Sequence, residues 1–116
     1  MSRPQQRRSE RLAARVPVRW RRGSFDVTCE TGDVSNEGLF LRTEETTFPG
    51  ALMQVEVDLP DGALRMFVTA AFVGQTISGR GIGAQIFVIS SADRRRWRRF
   101  YQALAAERNA PPQVVS

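Results

Sequence analysis

Guanidinium groups dominate the chemistry this sequence can offer. All 17 of its basic residues are Arg; it has neither Lys nor His. Eight of those Arg fall in the first 22 residues. There the spacing R-x-x-x-R recurs at Arg3/Arg7, Arg7/Arg11, Arg11/Arg15 and Arg15/Arg19. Such a basic segment attracts phosphate, whether on nucleic acid, lipid or nucleotide. A second cluster follows at Asp33-Val34-Ser35-Asn36-Glu37-Gly38, where a carboxylate, a hydroxyl and a residue without Cβ stand at D-x-S-x-x-G spacing. Read alone, that segment is a turn: an Asx residue, a turn hydroxyl and a glycine for the backbone.

The missing residue types exclude much chemistry. Without Lys there is no Schiff base and no P-loop lysine. Without His there is no imidazole base, no histidine metal ligand and no Ser-His-Asp relay. The single Cys29 cannot close an internal disulfide, so a reducing compartment is allowed. Carboxylates, hydroxyls and Arg remain, and Glu44-Glu45, Asp58 and Asp61 read as solvated turns with no companion base. A binding module is expected, with no catalytic residues, cofactor or metal. No stretch approaches the ~20 apolar residues of a membrane helix. Residues 1–22 lack the apolar core of a secretory signal. The expected address is the cytoplasm, without membrane insertion.

Periodicity defines the elements that must hold these groups. Val16, Val18 and Trp20 alternate with Pro17, Arg19 and Arg21, a strand pattern in which Pro17 marks an edge or a start. Phe25, Val27, Cys29 and Thr31 repeat the alternation after a turn at Arg22-Gly23-Ser24. Leu39-Phe40-Leu41 begins a third strand, Leu52 to Leu59 a fourth, and residues 63–75 a long fifth. Ile82, Ala84, Ile86 and Val88 share one side of the last. Pro49-Gly50, Pro60-Asp61-Gly62 and Ser78-Gly79-Arg80-Gly81 punctuate them. Six short strands without an intervening helix predict an all-β antiparallel barrel or sandwich. A C-terminal helix follows, capped by Ser90 or Ser91. Trp97, Phe100, Tyr101 and Leu104 lie on one face, with Arg94, Arg95, Arg98 and Arg99 opposite. Asn109, Pro111 and Pro112 end it.

Charge is uneven along the chain. Residues 1–22 carry +7, residues 23–92 carry −6 and residues 93–116 carry +4. The basic ends either pair with the acidic middle or face an anionic partner.

Arg7-Arg8-Ser9-Glu10-Arg11 ahead of Val16-Pro17-Val18, with the D-x-S-x-x-G turn ahead of Leu39-Phe40-Leu41, resembles the PilZ family. Members of that family bind cyclic di-GMP through an R-x-x-x-R arm and such a turn. The Pro49-Gly50 break, Leu59-Pro60 and the strand through Val73 also fit. So does Gly81-Ile82-Gly83-Ala84-Gln85-Ile86-Phe87, and the likeness runs from about Arg7 to Leu104. It implies a six-stranded antiparallel barrel with a C-terminal α-helix. The organisation expected is an arm over residues 1–13, a barrel over 14–90, a helix over 91–108 and a disordered tail over 109–116.

By that resemblance Arg7, Arg11, Asp33, Ser35 and Gly38 contact the nucleotide, with Arg8 as a helper. Arg7/Arg11 is the preferred register, because Arg15 directly precedes the strand; Arg11/Arg15 is the alternative. The chemistry agrees. An Arg fork matches guanine O6 and N7 and can stack on a purine, which Lys cannot do. Asp33 suits the N1–H and N2–H₂ donors. Gly38 allows a positive φ or a close approach of the ligand. Asn36 and Glu37 receive no role. The expected protein is a receptor whose arm orders on the ligand and signals to a partner protein or an oligomer, since the length leaves no room for an output domain. The alternatives are an Arg-rich nucleic-acid-binding protein and a ligand-independent adaptor. The acidic middle weighs against a continuous face for DNA.

Overall fold

Period-two alternation becomes sheet wherever one face can be buried. The computed structural model describes residues 9–109, so Arg7 and Arg8 and the tail beyond Asn109 lie outside the described residues. The order is β1 (Leu12–Ala13), β2 (Pro17–Arg22), β3 (Phe25–Val34), β4 (Gly38–Arg42), β5 (Leu52–Leu59), β6 (Gly62–Thr76), β7 (Gly79–Val88) and α1 (Ser91–Asn109). Neighbours run β3-β2-β5-β6-β7-β4, all antiparallel, and β4 pairs back onto β3. These six strands therefore close into a barrel, the architecture expected.

β1 is an addition. Leu12 pairs with Val34 and Ala13 with Asp33, so the end of the segment read as a strand-free arm lies in the sheet. Leu12 is buried, and Thr31 bridges the gap from β1 to β2. The Thr31 hydroxyl accepts from the Val16 N–H at 3.0 Å and donates to the Ala14 carbonyl.

The barrel is filled by Val18, Trp20, Val34, Leu39, Leu41, Val55, Val57, Leu64, Met66, Val68 and Ile82, and Trp97 and Tyr101 of α1 close it. The phase slips in two places. Met53 points inward and Leu52 is exposed. Val88 also faces out, because a bulge opposite Phe67/Val68 shifts the register of β7. Cys29 lies inside the wall. Burial pushes its thiol up to about 11, partly offset by the Trp20 indole and reinforced by Glu30. The Trp20 indole N–H is itself buried with no hydrogen-bond partner of good geometry among the described residues. Sulfur is a weak acceptor, which reconciles the two facts.

On the outside, β2 meets the acidic strands charge for charge. Arg19 pairs with Glu56, Arg21 with Asp26 and Arg65 with Glu56, each pair directly opposite across the sheet. Much of the N-terminal excess is thus matched by the acidic middle. These exposed pairs are worth about 0–1 kcal/mol each.

Ser90 is the cap of α1: its hydroxyl accepts from the Asp93 N–H at 3.1 Å. Arg96 then anchors the helix to the β5–β6 turn. Its guanidinium donates to both carboxylate oxygens of Asp61, to the Gly62 and Ala63 carbonyls and to Asp93. No helix among the described residues is long and apolar enough to cross a membrane.

Candidate nucleotide-binding site

Asp33 is the penultimate residue of β3, just after a bulge at Gly32. A Cβ on Gly32 would stand 3.0 Å from Ser78 Cβ and 3.1 Å from Arg42 Cγ. Its absence lets the tip of the β6–β7 hairpin close over β3. The Ser78 hydroxyl then donates to Asp33 Oδ2 at 3.0 Å. From the other side Arg11 Nη1 donates to Asp33 Oδ1 at 2.7 Å. The carboxylate is thereby fixed between the arm and the hairpin tip, while Arg11 stays 56% exposed. Arg15 turns away to Glu30, at 3.7 Å. Arg11 belongs to both candidate registers, and among the described residues it is the one that reaches Asp33.

Ser35 is buried and shapes the β3–β4 turn. Its hydroxyl accepts from the Gly38 N–H at 3.1 Å and from the Glu37 N–H at 3.3 Å. Its own N–H donates to the Gly38 carbonyl at 2.9 Å. Gly38 is not among the glycines with positive φ. A Cβ there would lie 2.2 Å from the Ala84 carbonyl oxygen. The close approach it permits is therefore that of β7, and the expectation of a positive φ is corrected.

Asn36 and Glu37, left without a role by sequence reasoning, fasten the arm. Glu37 Oε1 accepts from the Ser9 N–H at 3.2 Å and from its hydroxyl at 2.9 Å. The Asn36 N–H donates to Ser9 Oγ at 2.6 Å. Asn36 Oδ1 is buried without a partner among the described residues. The only signal in the sequence was the nearness of these residues to the turn; the contacts span 27 and 28 positions.

A hollow of about 220 Å³ opens beside Arg11, Ser35 and Gly38, lined also by Phe72, Gly83 and Gln85. A bulge between Ala70 and Phe72 turns the Phe72 ring outward, leaving it 45% exposed over the hollow. The sequence marked this stretch as aromatic strand but could not show the bulge. The result is a depression lined by a guanidinium fork, the Glu37 carboxylate, the Ser9 and Ser35 side chains and an apolar ring, with Asp33 bound to Arg11 outside the lining. Such a set suits a planar, hydrogen-bonding base that carries an anion.

The PilZ domain family model matches residues 5–103. The chain belongs to the PilZ domain family. No curated protein sequence matches it. Among solved structures, this PilZ chain is similar to the inhibitor of motility MotI/DgrA of Bacillus subtilis, at 14% identity and a TM-score of 0.75 over 94% of this chain and 56% of that one. It is similar to YcgR of Escherichia coli in complex with c-di-GMP, at 18% identity and a TM-score of 0.74 over 90% of this chain and 48% of that one. It also resembles the PilZ domain of CeSA from a cellulose-synthesizing bacterium, at 22% identity and a TM-score of 0.63 over 84% and 99% of the two chains. At these identities the likeness is one of fold. The chain spans about half the length of MotI/DgrA and YcgR.

Proposed function

We propose that this PilZ chain is a non-enzymatic cytoplasmic receptor for cyclic di-GMP that reports occupancy to a partner protein. The observation that carries the reading is the 2.7 Å contact of Arg11 with Asp33 beside the hollow of Ser35, Gly38 and Phe72. The match to the family over residues 5–103 and the fold shared with c-di-GMP-bound YcgR support it.

In this reading a guanine takes over both partners of that pair. Its N1–H and N2–H₂ donate to Asp33, and O6 and N7 accept from an Arg fork. Arg11 is the exposed partner of the pair, so it can swing aside for the base, and the guanine donors replace it on the more enclosed Asp33. Phe72 offers a face for stacking. Arg7 and Arg8 complete the clasp from the arm, whose residues Ser9 and Glu10 are already fastened to the turn and to α1. Ser35 and Gly38 act mainly by shaping the turn.

Calorimetry with cyclic di-GMP on the wild type and on Arg7→Ala/Arg11→Ala tests this. Loss of charge-assisted hydrogen bonds at about 1.5–3 kcal/mol each should weaken binding by at least about tenfold. Tight binding untouched by the double substitution removes the Arg pair from the site. A thermal-shift comparison with GTP and cyclic di-AMP checks selectivity: only cyclic di-GMP should raise the melting temperature. A second reading, polyanion binding through α1, draws support from Arg95, Arg98 and Arg99. All three are exposed, without an ion pair or hydrogen bond among the described residues.

A further inference from the structure

We infer that α1 is part of the ligand-reading machinery, with Arg94, Trp97 and Tyr101 acting as positioning residues for the turn and the arm. This inference rests on the receptor reading above. The Trp97 indole N–H donates to the Ser35 carbonyl at 3.0 Å, in the buried interior. Arg94 Nη1 donates to the Asn36 carbonyl at 2.9 Å. The Tyr101 hydroxyl donates to the Glu10 carbonyl at 2.6 Å. Arg108 donates to the Ala13 carbonyl. These four residues lie on one side of a single helix, so α1 runs as a rail along both halves of the site.

The chemistry of the rail explains why main-chain carbonyls are its targets. A turn whose N–H groups are taken by the Ser35 hydroxyl still has outward carbonyls that need donors. Trp, Arg and the Tyr hydroxyl supply them. Trp97 is fully buried, so its indole cannot exchange the Ser35 carbonyl for water without undocking the helix. Glu10 immediately precedes Arg11. The Tyr101 bond therefore sets the height at which the Arg11 fork meets Asp33. Helix, turn and arm share one set of hydrogen bonds, and a ligand that grips the turn and arm must act on α1.

The coupling has a sign. If the Tyr101 bond holds the arm in its binding conformation, removing it lowers the populated fraction of that conformation and raises the apparent Kd by the same factor. Tyr101→Phe keeps the ring and deletes only the donor. It should weaken cyclic di-GMP about three- to tenfold, the effect of losing one ordering hydrogen bond. The Trp97 indole N–H resonance, assigned by comparison with Trp20→Phe, should shift during titration of the wild-type chain. A residue that merely packed the helix would move neither the affinity nor this resonance.

Calorimetry on wild type and Tyr101→Phe, with the resonance followed in parallel, decides the matter. Weakened binding in Tyr101→Phe together with a shifted Trp97 signal supports the inference. Wild-type binding with a stationary Trp97 signal and unchanged Tyr101→Phe affinity overturns it and leaves the receptor reading intact. Failure of the wild type to bind cyclic di-GMP at all overturns both.

Discussion

A methyl group at position 38 would stand 2.2 Å from the Ala84 carbonyl oxygen, far inside contact distance. The obstacle is backbone, so β4 and β7 would have to part where Gly38 faces Gln85. Gly38→Ala should therefore lower stability by about 1–3 kcal/mol, the range for overpacking, with no ligand present. Urea unfolding of the ligand-free protein measures this; an unchanged midpoint would show that the two strands separate freely. The family pattern pointed to this glycine, but not to its reason, because the atom it makes room for is 46 positions away on another strand. Asp33 and Arg11 were legible as members of one motif set, each expected to face the nucleotide, but their contact with one another across 22 positions was not. Ser78, which holds the second oxygen of Asp33, was not: a hydroxyl in a turn 45 positions away carries no local signal.

Arg96 works at the scale of elements, joining α1 to the β5–β6 turn. Its side chain holds the Asp61 carboxyl below the ordinary carboxylate range, more strongly than burial raises it. With its folded pKa depressed, Asp61 binds fewer protons in the folded than in the unfolded chain near its titration range. Its contribution is therefore complete above the unfolded value of 3.8 and fades as pH falls through the lower folded value. Asp61→Asn should flatten the acid limb of the stability curve and lower the neutral urea midpoint modestly, the carboxylate being exposed. Midpoints measured from neutral pH to below the ordinary carboxylate range check it; parallel curves for the two proteins would refute the role of the pair. Periodicity had put Arg94, Arg95, Arg98 and Arg99 on the outer face of α1 and said nothing of Arg96, whose partners are set by how the helix docks. The strands themselves were readable because Pro and Gly punctuate them and a half-buried sheet needs strict alternation. β1 escaped because two residues cannot display a period, and the bulges at Gly32, Ala71 and Phe87 escaped because they interrupt one.

Across the whole molecule, folding redistributes a charge that the sequence shows as basic ends and an acidic middle. Arg11, Arg15, Arg19 and Arg21 each find a carboxylate on a neighbouring strand, which leaves the outer face of α1 as a basic surface. Arg95, Arg98 and Arg99 there make no direct ion pair among the described residues, although the charge of Arg99 reaches Asp61. Exposed Asp61 lies beside this surface, paired with Arg96 and within reach of the charge of Arg99, and its carboxylate repels a long polyanion. Three phosphate contacts would give a salt slope of about −2.7 in log affinity against log salt on duplex DNA, and loss of binding at physiological ionic strength. Fluorescence anisotropy with a duplex across a salt series measures that slope. The expected outcome is a shallow slope that disappears in Arg95→Glu/Arg98→Glu/Arg99→Glu, with cyclic di-GMP affinity unchanged. A slope steeper than about −6 would require the arm and helix to grip phosphates together, and the receptor reading would yield to nucleic-acid binding.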